Sequence, residues 1–364
     1  MLALSVALLP VVSAAQERPV STASGASAPT AAATWIKAPR VRGRLAPAEL
    51  GLVINTADPY SVEVGAFYAQ ARQLKPEQIL RVELPVKPAL TATEFEQLAA
   101  QVREHFGTPG DGPIQALALA WRQPYAVACH SITGALALGF DAGLCRRTCA
   151  PSQPSTYFNS ASARPATDHA LRPSMLLAAS NVEAAKTLIE RGVAADGRLG
   201  LRGAPPVIAH FEVTDDRVRS VRQRLFPPSG TLPRLGVQIR SGVHQPPSPD
   251  DRVLLYLTGA SRVSGLDDIE FVPGALADHL TSFGGWLEGG QGQMSVLAWI
   301  AAGATASYGT VSEPCNHLQK FPHPQVLLLH YLQGSTAIEA YWKSVAWPQQ
   351  GLFIGEPLAA PFAR

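Results

Sequence analysis

Residues 50–85 read LGLVINTADPYSVEVGAFYAQARQLKPEQILRVELP and decide the fold. Residues 50–55 form a short apolar run that predicts a buried strand, and residues 79–85 predict a second one. Asp58 and Pro59 between them mark the start of a helix, because proline is favoured in the first helical turn. A strand, a helix and a strand in this order indicate a parallel βαβ unit.

The same alternation continues along the chain. We therefore predict a three-layer α/β/α sandwich with a mostly parallel sheet, because apolar strands separated by helices are typical of sheets covered on both faces. Ligands in such sheets bind at the carboxyl ends of strands. Further helices are predicted at residues 91–106, 113–122, 181–192, 215–226, 294–303, 326–334 and 336–346. Further strands are predicted at residues 125–132, 174–180, 206–213, 235–240, 252–259 and 351–355, and one more strand is predicted to end at residue 274.

The composition excludes some classes of partner. The 364 residues are 46% hydrophobic and 16% charged, with a net charge of +2, so nucleic acid and anionic membranes are not predicted partners. The densest basic group is the arginines of residues 215–226. Acidic residues at its start and basic ones later favour a solvated helix, with a phosphate or nucleic-acid patch as the alternative.

The first residues read MLALSVALLPVVSAAQ, and 1–15 are predicted to be a signal peptide. The apolar run is too short to span a bilayer, and no Lys or Arg precedes Arg18. Residues 16–46 are rich in Ala, Ser, Thr and Pro and are predicted to be a flexible tether. No later window is apolar enough for a transmembrane segment, so we expect a periplasmic or extracellular protein.

The remainder divides into two predicted halves. Residues 47–200 form an N-terminal α/β half, which contains an irregular insertion at 140–170, and residues 201–364 form a C-terminal half. Long irregular insertions in compact domains tend to be functional or mobile.

The cysteines predict disulfides, because an exported chain with an even number of cysteines meets an oxidising compartment. Three complete pairings are possible, and the sequence does not choose among them. Zinc binding is disfavoured because a second close pair is missing. The four cysteines are Cys129, Cys145, Cys149 and Cys315. We predict no cofactor and no metal site.

Asp278, His279 and Ser282 are candidate catalytic residues, because they follow the predicted strand end at residues 271–274. His279 is in a position to act as a base on Ser282 or Cys315. In the alternative, His279 packs at a helix end and Ser282 makes a turn hydrogen bond.

The segment SEPCNH, residues 312–317, adds Glu313, Cys315 and His317. A nearby imidazolium would favour the thiolate of Cys315, which is the reactive form. The alternatives are a disulfide and a structural thiol. A metal site using Glu313, His317 and His323 lacks the helical H-E-x-x-H pattern.

Asn55, Asp58 and Ser61 are candidate ligand-binding residues, because they lie where the first predicted strand ends. Asn and Asp at this position are also ordinary helix caps, and capping is the favoured alternative.

Several motifs of the chain resemble those of a family of exported bacterial proteins of unknown function, and the match covers nearly all of the chain after Pro47. That family is distantly similar to gingipain-type cysteine peptidases, which have a caspase-like sandwich; the resemblance implies this fold for the C-terminal half. The motifs are GLVINTADPYSVEVGAFYAQARQL, RPSMLLAAS, ADHLTSFGG, GATASYGTVSEPCNHLQKFPHP and GSTAIEAYWKSVAWPQQGLFIGEPLAAPF.

The chain departs from the peptidase pattern at the catalytic dyad. In the peptidases a His-Gly pair follows one strand and the catalytic Cys ends the next. Here residues 258–261 read TGAS and residues 274–279 read GALADH, and Glu356 replaces the Asp of a closing Gly-Asp-Pro turn. The resemblance therefore implies the scaffold without the peptidase chemistry.

We therefore expect an exported, non-peptidase binding or surface-associated module, whose partner is an envelope or extracellular component. One alternative is a hydrolase that uses the Asp278, His279 and Ser282 loops or Cys315. The other is a carbohydrate- or envelope-binding protein that stacks its ligand on Trp286, Trp299 or Trp342, although such aromatics more often fill cores.

Overall fold

The computed structural model describes residues 34–364. The predicted signal peptide and the first part of the predicted tether lie outside the described residues. Residues 34–46 pack on the domain, which corrects the predicted tether for this part: the Ile36 N–H donates to Gln325 at 2.6 Å and the Leu45 N–H to Glu339 at 3.2 Å. Backbone polar groups with such partners hold an extended segment in place.

The first half of the domain alternates strands and helices. Its elements are β1 (Leu50–Asn55), α1 (Pro59–Ala71), β2 (Ile79–Val82), β3 (Ala89–Leu90), α2 (Ala92–Phe106), β4 (Ala116–Leu119), β5 (Ala126–Val127), β6 (His130–Ser131), α3 (Ile132–Leu138), α4 (Ala142–Arg146), α5 (Pro165–His169), β7 (Ser174–Leu176) and α6 (Val182–Ala195).

The second half is richer in strands. Its elements are β8 (Val207–Val213), β9 (Gly230–Leu232), β10 (Val237–Val243), β11 (Arg252–Thr258), β12 (Glu270–His279), α7 (Leu297–Ala301), β13 (Ala306–Thr310), α8 (Pro324–Leu332), α9 (Ala337–Ser344) and β14 (Gly351–Gly355). None of the described helices is long and apolar enough to cross a membrane.

Eleven strands form one large sheet in the order β2-β1-β4-β7-β14-β13-β12-β11-β8-β10-β9. Neighbours within β2-β1-β4-β7 are parallel, and so are neighbours within β13-β12-β11-β8-β10. β14 lies between the two groups; it is antiparallel to β13 and pairs in parallel with β7, at one residue pair. The predicted α/β architecture with a mostly parallel sheet is confirmed.

Loops that follow strands of both groups meet at one edge of the sheet, which we call the carboxyl edge. Gln123, after β4, hydrogen-bonds Glu288, after β12. Ser312, after β13, donates to the Cys129 carbonyl at 2.6 Å. The loop after β4 therefore lies against the loop after β12, and loops that follow strands carry the ligand-binding residues of α/β proteins.

Helices cover both faces of the sheet. Gly51 on β1 faces Phe106 of α2, and Gly65 of α1 faces Ile54 on β1. Residues 51 and 54 point to opposite faces because side chains alternate along a strand. A Cβ at either glycine would come closer than 3.0 Å to its neighbour, so both glycines permit close helix–sheet packing.

Several segments differ from the sequence prediction. Residues 125–132 contain two short antiparallel strands, β5 and β6, joined by a turn, instead of one strand. Residues 113–122 contain the strand β4 instead of a helix, because the sheet buries the whole run. Residues 215–226 form turns and a 3-10 helix at Ser220–Leu225, with Arg222 buried, so the solvated-helix prediction is wrong there. β12 runs on to His279, past the predicted end at residue 274, because Ala275–Leu280 is buried.

Candidate functional site

The ends of β11 and β12 bring together the two positions at which the resemblance implies a catalytic dyad. Thr258 and His279 are register partners in this parallel pair of strands. Both side chains are buried, at 0% and 1% exposure. The two strands thus end side by side, with a threonine and a histidine as their last residues.

Glu212 on β8 engages the threonine. Its carboxylate accepts a hydrogen bond from the Thr258 hydroxyl at 3.2 Å and one from the Tyr256 hydroxyl at 2.5 Å. Burial, followed by the hydrogen bond to Glu212, raises the pKa of Tyr256 well above its ordinary value. This group of three residues is thus a carboxylate with two hydroxyl donors at the carboxyl edge.

His279 is held as a neutral imidazole. Its Nδ1 accepts the indole N–H of Trp299 at 2.9 Å, and its Nε2 lies 3.1 Å from the Met294 carbonyl oxygen. Burial lowers the pKa of His279 to about 3. Both ring nitrogens are occupied, so His279 has no nitrogen left to act as a base on Ser282.

Asp278 points to the opposite face of β12 and pairs with Arg222 at 2.6 Å, with both side chains 1% exposed. The same guanidinium donates to the Thr258 carbonyl at 2.8 Å. Burial raises the pKa of Asp278, and Arg222 opposes this shift. The pair ties β12 to the 3-10 helix after β8 and is not open to a substrate.

Ser282 follows β12 and is half-buried. Its carbonyl accepts the Thr310 hydroxyl at 2.8 Å, which joins this turn to the end of β13. Asp278, His279 and Ser282 are thus close in sequence, but their side chains do not share one site. Of the three, only Ser282 lies near solvent.

The SEPCNH segment is tied to the insertion. Cys315 forms a disulfide with Cys149, so the hypothesis of a thiol nucleophile is wrong for this form of the protein. The Glu313 carboxylate accepts the Cys315 N–H at 2.8 Å, and His317 Nε2 lies 2.8 Å from the Cys149 carbonyl oxygen. Glu313 and His317 therefore position this loop.

The other two cysteines form the second disulfide, Cys129–Cys145, with an S–S distance of 2.03 Å. Among the described residues no cysteine is free. The structure thus selects one of the three pairings that the sequence left open, and both disulfides involve the insertion between residues 140 and 170.

Asn55, Asp58 and Ser61 make local hydrogen bonds at the end of β1. Asn55 donates to and accepts from the backbone of Leu84, at 3.1 and 2.9 Å. The Asp58 carboxylate caps α1 at the Tyr60 N–H, and the Ser61 hydroxyl accepts the Asn55 N–H at 2.7 Å. These contacts are the ones expected if the three residues cap the helix and hold the turn before it, which is the favoured alternative to ligand binding.

The tryptophans proposed for sugar stacking have other neighbours. Trp299 and Trp342 are 0% exposed and fill the core. Trp286 is half-buried and donates its indole N–H to the Val311 carbonyl at 2.7 Å. Stacking on an external ligand is therefore excluded for Trp299 and Trp342 in this fold.

Sequence reasoning did not place four residues around the ends of β11 and β12, although it named one of them, Trp299, as a stacking candidate. They are Glu212, Tyr256, Arg222 and Trp299. One signal was present for Glu212: in the strand PVIAHFEV, His210 and Glu212 alternate on one face where a buried strand would carry apolar residues. His210 is 2% exposed, and burial lowers its pKa.

Comparison with models of known protein families gave no match, and comparison with curated proteins gave no significant similarity.

Proposed function

We propose that this chain is an exported, caspase-like module that binds a partner or the cell surface and has no peptidase chemistry. The observation that carries this proposal is the pair Thr258 and His279 at the adjacent ends of β11 and β12, where the resemblance would put a catalytic dyad. A cysteine peptidase needs a thiolate and a base within hydrogen-bond reach of each other. Here the threonine hydroxyl donates to Glu212, and both ring nitrogens of the histidine are occupied.

A groove beside the SEPCNH segment supports the binding part of the proposal. It has a volume of about 390 Å³, within the range of small-ligand sites. The insertion supplies Phe158, and the 3-10 helix after β8 supplies Arg224 and Leu225. Phe321 and His323 complete an apolar wall with two polar groups that can orient a ligand.

The absence of peptidase chemistry is tested by turnover. Purified, oxidised protein is incubated with panels of fluorogenic peptide, amide and ester substrates. We expect no turnover above that of the Thr258→Ala variant. Turnover that is lost in Glu212→Gln or Ser282→Ala, while both variants keep the wild-type circular dichroism spectrum, would establish the hydrolase alternative instead.

The binding role is tested by ligand-induced stabilisation. A ligand that binds the folded state raises the melting temperature by mass action. Wild type and Leu225→Trp, which fills the groove, are screened against peptidoglycan fragments, lipopolysaccharide, oligosaccharides and peptides. We expect one component to stabilise the wild type alone; equal stabilisation of both proteins would exclude the groove as the binding site.

Export is tested separately, with a reporter. Residues 1–46 are fused to a phosphatase that is active only after export and disulfide formation. We expect activity, and we expect its loss when Leu8 and Leu9 are replaced by Arg, because charge in the apolar run prevents recognition of a signal peptide. Fusion protein that is present but inactive, and confined to the cytoplasmic fraction, would refute export.

A further inference from the structure

Cys129, His130 and Cys145 form a compact group of potential metal ligands. One ligand atom of each residue lies within 4.8 Å of the other two. Cys129 is in the turn that joins β5 to β6, His130 begins β6, and Cys145 is on α4. Two cysteine sulfurs and an imidazole nitrogen are a ligand set that zinc prefers.

Hydrogen bonds hold the turn that carries Cys129 in place. The Cys129 N–H donates to the sulfur of Cys145 at 3.3 Å, a contact that accompanies the S–S bond. The Cys129 carbonyl accepts the hydroxyl of Ser312 at 2.6 Å, and Gln350 donates to that same hydroxyl at 2.8 Å. The turn that carries Cys129 is therefore anchored to the large sheet independently of the disulfide.

His130 is the observation that points to a ligand. Its side chain is 0% exposed, and its Nε2 faces the backbone of Asp141 at 3.2 Å. Its Nδ1 is buried and has no hydrogen-bond partner among residues 34–364. A buried polar atom without a partner costs about 1 to 3 kcal/mol, so a nitrogen kept in this state favours a partner that supplies the missing bond.

We propose that Cys129, His130 and Cys145 bind one zinc ion when their disulfide is reduced. A dithiol reductant supplies two electrons and two protons and is itself oxidised to a disulfide. Zinc then displaces the two thiol protons and bonds both thiolates and the imidazole. The site is independent of the proposed function, because it uses none of the residues at the ends of β11 and β12.

The required movement is small. Tetrahedral zinc with Zn–S bonds of about 2.3 Å needs sulfurs about 3.8 Å apart. In the disulfide they are 2.03 Å apart, and the Cα atoms of Cys129 and Cys145 are separated by 5.2 Å. Reduction frees both side chains to rotate, and this rotation changes the distance between the sulfurs.

Three protein ligands leave one coordination position open. Catalytic zinc sites share this feature, whereas structural sites are closed by four protein ligands. Cys129 and Cys145 are half-buried and Ala128 is exposed, so water and a reductant can approach the sulfurs. The oxidised form is thus a disulfide-locked turn, and the reduced form a zinc site with water as the fourth ligand.

The test measures zinc affinity of the full chain in both redox states. Protein is reduced, desalted under anaerobic conditions and titrated against a chromophoric zinc chelator, with Co²⁺ as a spectroscopic probe of tetrahedral thiolate ligation. We expect one zinc ion per reduced chain and none for the oxidised chain. His130→Ala and Cys145→Ser should each weaken binding by at least about tenfold.

His317→Ala is the matched control, because His317 lies next to the other disulfide and touches the Cys149 backbone. It should bind zinc as the wild type does. Circular dichroism of each reduced variant separates loss of ligands from loss of fold, and Cys145→Ser retains His130 if His130→Ala does not fold. Zinc binding unchanged in both variants, or absent from folded, reduced wild type, would overturn the proposal.

Discussion

The indole N–H of Trp299 donates to Nδ1 of His279 at 2.9 Å, and this bond selects the tautomer of the imidazole. An indole nitrogen is only a donor, so Nδ1 must carry the lone pair and Nε2 the proton. The proton then points at the Met294 carbonyl. A residue that the sequence suggested as a base is instead a fully bonded member of the core.

Replacement of this donor should destabilise the protein. Trp299→Phe keeps an aromatic ring but leaves Nδ1 of His279 buried without a partner. We expect a loss of about 1 to 3 kcal/mol in the free energy of unfolding, in addition to the loss of packing volume. Urea denaturation measures the loss, and Trp286→Phe, whose indole is half-buried, should cost less. Equal costs would contradict this role of His279.

Acid should destabilise the fold through two buried histidines. Burial lowers the pKa of His279 and of His330 to about 3. The unfolded chain takes up these protons near pH 6.5, so stability is complete above that pH and falls as the pH drops toward 3. For each histidine, the free energy of unfolding falls by about 1.4 kcal/mol per pH unit as the pH drops through this window.

His330→Gln isolates one of these two contributions. The amide can still donate to Asn159, the present partner of His330 Nε2. Denaturant unfolding at pH 6.5 and pH 5 should show a pH dependence that is smaller by about 2 kcal/mol in the variant. An unchanged pH dependence would mean that His330 titrates normally in the folded protein.

The buried pair of Arg222 and Asp278 should be costly to break and less costly to remove. Arg222→Met leaves a buried carboxylate without its counter-charge, and we expect a loss of about 3 to 5 kcal/mol. The double variant with Asp278→Leu should recover much of it, because two apolar side chains need no partner. A double-mutant cycle by chemical denaturation measures the coupling.

Glu356, in the turn after β14, should contribute more to the free energy of unfolding than its neighbour Asp196. Arg72 pairs with both, at 2.6 Å and 2.5 Å, but the Glu356 side chain is 0% exposed and that of Asp196 is 39% exposed. Glu356→Gln should cost about 3 to 5 kcal/mol of unfolding free energy. Asp196→Asn should cost about 1 kcal/mol or less, and a reversed order would contradict the assignment.

The two disulfides should stabilise the fold unequally. Cys149–Cys315 closes a sequence separation of 166 residues and Cys129–Cys145 one of 16. Chain entropy alone predicts about 5 kcal/mol for the first and about 3 kcal/mol for the second. Paired Cys→Ser variants and peptide mapping under non-reducing conditions check the order and the pairing.

The sequence predicted the α/β class because local sequence patterns indicate most of its strands and helices. Residues 50–55 carry an apolar run, and Thr91 and Glu94 form a capping box at the start of α2. Such signals need no knowledge of the rest of the chain. The predicted end of α6 at Gly192 was short by three residues, because the helix continues to Ala195.

The candidate site could not be predicted in the same way, because its contacts join distant residues. His279 depends on Trp299 and Met294, and Asp278 depends on Arg222, which stood in a segment read as a solvated helix. Periodicity does not identify a partner across the sheet. The residue types near residue 279 therefore suggested chemistry, whereas their neighbours give them structural roles.

The position of β14 has a consequence for the order of folding. It follows both β7 and β13 in the chain, yet it lies between them in the sheet. Until residues 351–355 are in place, each parallel group presents an unpaired edge, which is a template for pairing with another chain. Completion of the sheet thus depends on contacts of long sequence separation, which form slowly, and the incomplete chain is the species most exposed to aggregation.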